Sequence, residues 1–142
     1  MLPHEAVLAG SPEFVDALLP LVTEHLGGPP RVADSPSVAS ALCQDGARLL
    51  VYEHAGREWL SLCEQVRGLA EPGLVVVAAL PPEHAADVAE ISGAASAVVA
   101  WRGEGRPVME ALARVMAARE APQQAPPRRT GPVLTPQPRP AV

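Results

Sequence analysis

The sequence has 142 residues, of which 48% are apolar and 19% charged, and its formal net charge is −5. This length and apolar content are typical of one folded domain and exclude a wholly disordered chain. All 11 basic residues are arginine, which excludes chemistry that needs a lysine, such as Schiff-base catalysis or a P-loop phosphate site.

Strand and helix patterns alternate along residues 5–120. The strand candidates are short apolar runs: Glu5–Ala9, Arg31–Ala33, Ala47–Tyr52, Leu74–Leu80 and Ala97–Trp101. A helix pattern follows each strand, and these helices span 12–26, the residues after Ser35, 57–70, 82–92 and 106–120. Five β-α units in about 120 residues predict an α/β fold, a three-layer (βα)5 flavodoxin-like sandwich with a five-stranded parallel sheet.

Several details of the helices are specific enough to be tested by a structure. Pro20 lies inside the first helix pattern and is expected to kink or split it. The second helix is expected to bury Val38, Ala41 and Leu42. The third carries a stripe of apolar residues at helical spacing: Trp59, Leu62, Cys63, Val66 and Leu69. The last carries another: Met109, Leu112, Val115 and Met116.

The charge and proline content divide the chain in two. Residues 1–120 hold all 16 acidic residues and 8 of the arginines, a balance of −8, whereas residues 121–142 hold 3 arginines, 7 prolines and no acid. We therefore predict a folded domain over residues 1–120 and a disordered Pro/Arg-rich tail over 121–142, with a docking role for the tail left open. The acidic body argues against nucleic-acid binding.

Cysteine usage and the absence of a signal peptide indicate an intracellular protein. Cys43 and Cys63 lie in helix patterns and have no metal-ligand spacing, so both are expected to be buried, reduced thiols. No signal peptide and no apolar run long enough to cross a bilayer occur, which predicts a cytoplasmic location without membrane contact. We expect no cofactor and no bound metal.

Catalytic groups in such folds collect at the carboxyl ends of the strands. There the sequence offers Glu53 and His54 after the third strand, Arg102 after the fifth, and otherwise mostly methyl groups. We expect His54 to be an exposed loop histidine. The glycines around Glu104 lack the spacing of a phosphate-binding loop and predict a flexible connection.

Residues 5–119 resemble the receiver domain of bacterial two-component response regulators. The resemblance rests on the order of elements and on four segments: 7–12 (VLAGSP), 32–35 (VADS), 48–53 (RLLVYE) and 93–99 (GAASAVV). It implies the receiver fold and a role in signal transduction.

The resemblance also implies how the chain departs from working receivers, which phosphorylate an aspartate with the help of magnesium. The acidic pair that holds magnesium falls on Ala9 and Gly10, and the phospho-acceptor falls on Glu53. The switch hydroxyl falls on Ala78 and the switch lysine on Ala100. Without these groups little would stabilise phosphoryl transfer, which implies a degenerate pseudo-receiver.

The main functional prediction is a non-enzymatic signalling adaptor that binds protein partners independently of phosphorylation. Trp101, Arg102 and Arg106 are the candidate partner-binding residues, because Trp and Arg are enriched at binding hot spots. Trp101 has an equally weighted alternative, in which it fills space left by the missing active-site side chains. Glu53 is either a permanently charged mimic of the phosphorylated residue or an ordinary exposed acid.

Two alternative functions stay open at this point. A homodimer also stays open as the oligomeric state. One alternative function is a flavodoxin-like small-molecule-binding or phosphocarrier domain that uses His54 and Glu53. The other is an anti-sigma-antagonist-like protein-binding domain, for which Ser11 and Ser35 would be weak phosphorylation sites; the strand order separates this alternative from the receiver fold.

Overall fold

Five strands pair side by side in one fully parallel sheet. The computed structural model describes residues 2–67 and 73–120. The strands are β1 Ala6–Ala9, β2 Arg31–Ala33, β3 Leu49–Glu53, β4 Val75–Leu80 and β5 Ala97–Ala100. Their order across the sheet is β2-β1-β3-β4-β5. This is the order of flavodoxin-like folds, so the predicted fold class is confirmed.

The helices cover both faces of this sheet. They are α1 Pro12–Leu26, α2 Pro36–Gln44, α3 Arg57–Arg67, α4 Val88–Ser92 and α5 Arg106–Glu120. Two 3₁₀ segments, Pro3–Glu5 and Pro82–Asp87, precede β1 and α4. Apart from the fourth helix, each strand and helix lies within a few residues of its prediction, because apolar periodicity and the Gly and Pro breaks both mark the ends.

The sheet separates two cores, which take alternate residues of the central strands. The α2–α3–α4 core includes Leu50, Tyr52, Val76, Leu62 and Ile91. The α1–α5 core includes Leu8, Phe14, Val51, Val77 and Leu112. Strands covered on both faces need continuous apolar runs, and every residue of β1 and β4 is buried.

The prediction that Pro20 splits the first helix is wrong. α1 runs without interruption from Pro12 to Leu26. Pro20 has no N–H to donate to the backbone carbonyl of Asp16, four residues earlier. Both residues are exposed, so water can hydrogen-bond to that carbonyl instead. Phe14, Leu18 and Val22 are fully buried on the opposite side of α1 and hold the helix against the sheet on both sides of the proline.

The predicted buried face of the second helix is also wrong. α2 buries Ala39, Ser40 and Cys43, whereas Val38 is 42% exposed. The helix is rich in small side chains that give little contrast between its faces. Ser35 fixes its start, since Ser35 Oγ accepts a hydrogen bond from Val38 N at 3.3 Å.

The predicted fourth helix is broken. Residues 82–87 form a 3₁₀ segment in which His84 has non-helical φ/ψ of −115° and 18°, and only Val88–Ser92 is α-helical. The short α4 leaves much of β5 uncovered, and no residue of β5 is fully buried. The stripe of the last helix is shifted by a fraction of a turn, because α5 buries Val108, Ala111 and Leu112 while Met109, Val115 and Met116 lie at its margins.

Several predictions lie outside the described residues. They are the end of the third helix, with Leu69, and the whole of the tail over 121–142. Within residues 2–67 and 73–120, no helix is both long enough and apolar enough to cross a membrane.

Both cysteines are buried and free, as predicted. Burial raises the pKa of the Cys43 thiol to about 11 and also raises the pKa of Cys63, whose Sγ lies 2.9 Å from Tyr52 Oη. Burial, and then the neighbouring Cys63, raise the pKa of Tyr52 as well.

These raised pKa values predict how alkylation and stability depend on pH. The folded chain is expected to resist iodoacetamide at pH 8, because buried neutral thiols are poor nucleophiles, whereas urea-unfolded chain reacts at both sites. The free energy of unfolding should fall as pH rises above the ordinary Cys value of 9.0, since only the unfolded chain then ionises readily. Mass spectrometry and denaturation between pH 7 and about 10 check both outcomes; rapid labelling of folded chain, or constant stability over that range, would contradict them.

Candidate functional site

Glu53 lies at the carboxyl end of β3, where the sequence places the candidate site. It is half-buried rather than exposed, and its Oε1 accepts a hydrogen bond from the backbone N–H of Ser11 at 3.0 Å. Ser11 in turn begins α1, since its Oγ accepts a hydrogen bond from Phe14 N at 3.3 Å. The carboxylate therefore ties the β1–α1 loop to the end of β3, and the interpretation of Glu53 as an ordinary exposed acid is wrong.

Gly10 leaves no room for a side chain next to Glu53. A Cβ built on Gly10 would lie 2.7 Å from Phe14 Cδ2 and 3.0 Å from Glu53 Cβ. Phe14 is fully buried, so its ring cannot swing out of the way. Of the two predicted acidic-pair positions, Ala9 is a buried core residue, and the space that a side chain at Gly10 would need is occupied by Phe14 and Glu53.

The sheet register decides which residues face Glu53. Glu53 pairs with Ala79, and Ala79 pairs with Val99. Residues paired directly across a sheet point to the same face. Ala78 pairs with Tyr52 and lies in the α2–α3–α4 core. The position beside Glu53 is thus Ala79 rather than Ala78, a shift of one residue that leaves an alanine methyl there in either case.

Trp101 fills space in the α1–α5 core. It is 9% exposed, and its ring meets Phe14 edge-to-face with the centroids 4.9 Å apart. Phe14 is also the nearest neighbour of the Gly10 position, so its ring lies at the Glu53 end of this face. The burial favours the space-filling alternative for Trp101 over direct contact with a partner.

The two candidate arginines are exposed, and their role in partner binding stays a prediction. Arg106 Nε lies 3.2 Å from Glu110 Oε2, one turn along α5. Arg102 and Ala100 both line a groove beside β5. Ala100 is exposed and pairs with Leu80, so the predicted lysine position lies on the opposite face of the sheet from Glu53.

The prediction that His54 is an exposed loop residue is wrong, because His54 is fully buried. Its backbone N–H donates to Ala79 O at 2.8 Å, so pairing with β4 continues past the end of β3 and carries the ring inward. Its Nε2 lies 2.9 Å from Asp87 Oδ2, and its ring packs edge-to-face on His84 at 5.6 Å.

His54 and Glu53 therefore point to different surroundings, although they are adjacent in the chain. Glu53 contacts Ser11, whereas His54 contacts the 3₁₀ segment that contains His84 and Asp87. In the described residues His54 Nδ1 has no hydrogen-bond partner. The sequence did not predict this cluster, because His84 and Asp87 lie in a segment whose pattern is that of a regular α-helix, whereas the segment is a 3₁₀ helix.

Metal ligands are not brought together in the part of the chain that the structure describes. There, no group of three or more His, Cys, Asp or Glu side chains is arranged to hold a metal ion. At the Glu53 end of the sheet, one carboxylate faces methyl groups and aromatic rings. This arrangement can position the β1–α1 loop through the hydrogen bond from Ser11 N to Glu53.

Comparisons with known proteins find matches among solved structures. No protein-family model matches the chain, and no curated protein does. A candidate pilus assembly protein (CpaE) from Burkholderia thailandensis has 19% identity and a TM-score of 0.59, with 82% of this chain and 99% of that chain covered. A response regulator receiver protein from Pseudomonas putida has 13% identity and a TM-score of 0.62, with 80% and 98% covered.

A third solved structure is NtrX from Brucella abortus. It has 19% identity and a TM-score of 0.62, with 81% of this chain but only 28% of the NtrX chain covered. The likeness to these proteins, together with the strand order, shows that the chain has a receiver-like, flavodoxin-like fold.

Proposed function

We propose that the chain is a non-enzymatic signalling adaptor, a pseudo-receiver that binds partner proteins without being phosphorylated. The observation that carries this proposal is the use of Glu53: its carboxylate accepts the hydrogen bond of the Ser11 N–H, Phe14 fills the space at Gly10, and Ala79 is its neighbour on β4. At the phospho-acceptor position, Glu53 holds the β1–α1 loop in place. A receiver-like fold of this kind can still bind partners, but it lacks the groups that transfer and respond to a phosphoryl group.

The chemistry of phosphoryl transfer supports the same proposal. The reaction needs a free carboxylate oxygen, a divalent cation held by oxygen ligands and a positive charge to neutralise the transition state. The two positions of the acidic pair, Ala9 and Gly10, have no side-chain oxygen to offer a cation. The chain has no lysine to supply that charge. Ala100, at the position of the switch lysine, lies on the face of the sheet opposite Glu53.

Resistance to phosphorylation is the direct prediction of the proposal. The full chain incubated with acetyl phosphate and magnesium is expected to gain no phosphoryl group by intact-mass spectrometry, with a working receiver domain treated in parallel as the positive control. Glu53→Asp is expected to behave in the same way, because the missing metal ligands are not restored. A stable phosphoryl group on Glu53 or His54 would refute the proposal.

A phosphocarrier role for His54 is less well supported. A phosphocarrier histidine must present a ring nitrogen to its donor protein, whereas His54 is fully buried and its Nε2 contacts Asp87. The anti-sigma-antagonist-like alternative loses its support too, because the strand order is the flavodoxin-like one. Ser11 and Ser35, its weak candidate sites, both serve as helix caps.

A role in pilus assembly is a second candidate function. It is favoured by the similarity to the CpaE structure, in which the matched region takes up 99% of the CpaE chain. Deleting the gene and scoring surface pili separates the two candidates: loss of pili supports assembly, whereas unchanged pili with altered signalling output supports the adaptor.

A further inference from the structure

A cleft between α2 and α3, here called the α2–α3 cleft, is lined mainly by hydroxyl, amide and carboxylate groups. It opens to solvent and has a volume of about 380 Å³, within the ~300–1,000 Å³ of typical ligand pockets. Its polar lining consists of Ser35, Ser37, Glu58, Ser61 and Gln65, and its apolar lining of Pro36 and Leu62. Such a lining fits a ligand that donates several hydrogen bonds and also has an apolar part.

The charge of the cleft is negative. Glu58 is the charged member of its lining, is exposed, and forms no ion pair within the described residues. Three other cavities in the described part of the chain each have an arginine in their lining. Those arginines are Arg48, Arg102, and the pair Arg57 and Arg67. The α2–α3 cleft therefore suits a cation better than these three cavities do.

The side chains around Glu58 can accept hydrogen bonds from such a cation. Ser35 Oγ accepts a hydrogen bond from Val38 N at 3.3 Å, and a hydroxyl oxygen has a second acceptor position. Gln65 Nε2 donates to Ser61 Oγ at 3.4 Å, which leaves the amide oxygen of Gln65 as a further acceptor. The cleft thus offers neutral acceptors on both helices beside its carboxylate.

An arginine side chain matches this combination of groups. Its planar guanidinium has five N–H donors and pairs with a carboxylate through two parallel hydrogen bonds. Its aliphatic stem packs on apolar side chains, which Pro36 and Leu62 provide in the cleft. A lysine, with its single charged point, would use fewer of the acceptors, and the chain has none.

The described chain ends within reach of the cleft. Arg119 Nη2, at the end of α5, donates to Gly73 O at 3.1 Å, and Gly73 lines a cavity together with Cys43, near the end of α2. The nine residues of α2, from that end to the cleft, span about 13.5 Å. Residues 121–128 span about 25 Å in the polyproline II conformation, so the next arginine of the chain can reach the cleft.

We propose that the α2–α3 cleft binds residues 126–129 (PPRR) of the same chain. One arginine of this segment pairs with Glu58, and its two prolines keep the segment extended over the cleft. The inference goes beyond the adaptor function and does not depend on it, because it concerns a contact within the chain.

Charge and tethering favour this segment over other occupants. Residues 1–120 have a charge balance of −8, whereas residues 121–142 hold three arginines and no acid. A segment joined to the domain by a short linker has an effective concentration in the millimolar range, so a weak contact suffices to fill the cleft. The prolines reduce the entropy that the segment loses on binding.

Paramagnetic NMR on the full chain tests the contact. A nitroxide is attached at Thr130→Cys, while Cys43 and Cys63 are buried and are expected to stay unlabelled. The backbone amide signals of Ser37 and Ser61 should broaden relative to the same chain with the nitroxide reduced. The signal of Arg114, on α5 at the other face of the sheet, should stay sharp. Absence of this selective broadening would overturn the proposal.

Charge reversals test the recognition of arginine. Glu58→Arg should shift the ratio of docked to free segment by about tenfold or more towards the free form, and Arg128→Glu with Arg129→Glu should do the same. The matched control is Glu64→Arg, an equally exposed position on the same helix that lines the cavity on the α4 side. Broadening that survives Glu58→Arg, or that is lost equally in Glu64→Arg, would refute the pairing.

A mixed sample separates the chain's own segment from that of a second copy. Isotope-labelled chain with Thr130 intact is mixed with unlabelled chain that carries the nitroxide, and its Ser37 and Ser61 signals should stay sharp. Broadening in this mixture would place the segment of another molecule in the cleft and overturn the proposal. Either failure leaves the adaptor function standing, since that function is tested by phosphorylation and partner binding.

Discussion

Replacing Trp101 by alanine is expected to lower the free energy of unfolding by about 3–5 kcal/mol. The ring is 9% exposed and packs edge-to-face on Phe14, so its removal leaves a cavity in the α1–α5 core. Urea denaturation of the full chain, followed by far-UV circular dichroism, measures the change. Trp101→Phe should cost clearly less, because an aromatic ring stays in contact with Phe14.

The neighbouring Arg102 provides the matched control for that measurement. Arg102 is exposed, and Arg102→Ala is expected to change the free energy of unfolding by no more than about 0.5 kcal/mol. A cost below about 1 kcal/mol for Trp101→Ala would contradict the packing described here and would return Trp101 to the list of partner-binding residues.

Restoring an acid at residue 10 is expected to destabilise the domain. Gly10→Asp should lower the free energy of unfolding by about 1–3 kcal/mol, because its Cβ would lie 2.7 Å from Phe14 and 3.0 Å from Glu53. The added carboxylate would also lie close to the carboxylate of Glu53. Thermal and urea unfolding of the purified full chain measure the loss.

A double-mutant cycle tests the cause of that loss. Gly10→Ala alone adds only the clashing methyl group, and its cost should shrink when Phe14→Leu gives the neighbour a smaller, more adaptable side chain. Equal costs in the two backgrounds, or a Gly10→Asp chain as stable as wild type, would show that the space at this position is not filled as the structure indicates.

The sequence was sufficient for the fold because its strong signals are local. The runs Leu49–Val51 and Val75–Val77 indicate strands buried on both faces, and the Ser11-Pro12 cap marks the start of a helix. Once five β-α units are recognised, right-handed crossovers leave few topologies. The position of Glu53 at the carboxyl end of a strand follows from the same pattern.

The contacts made by site residues could not be predicted in this way, because they depend on distant segments. His54 is buried by a 3₁₀ segment some 30 residues away, which reads in the sequence as one regular helix. Trp101 is buried by Phe14 from the first helix. The bond of Glu53 to Ser11 joins residues 42 positions apart, and no spacing rule predicts that pairing.

The position of α5 also affects how the chain folds during synthesis. The α1–α5 core combines the first helix with the last, and Val108 and Leu112 of α5 are fully buried against strands that precede them. A nascent chain that has emerged from the ribosome only as far as β5 has α1 but lacks α5, so the part of this sheet face that α5 covers, on β4 and β5, stays exposed. This side of the domain can close only after α5 has emerged, so the strands need protection from aggregation until then.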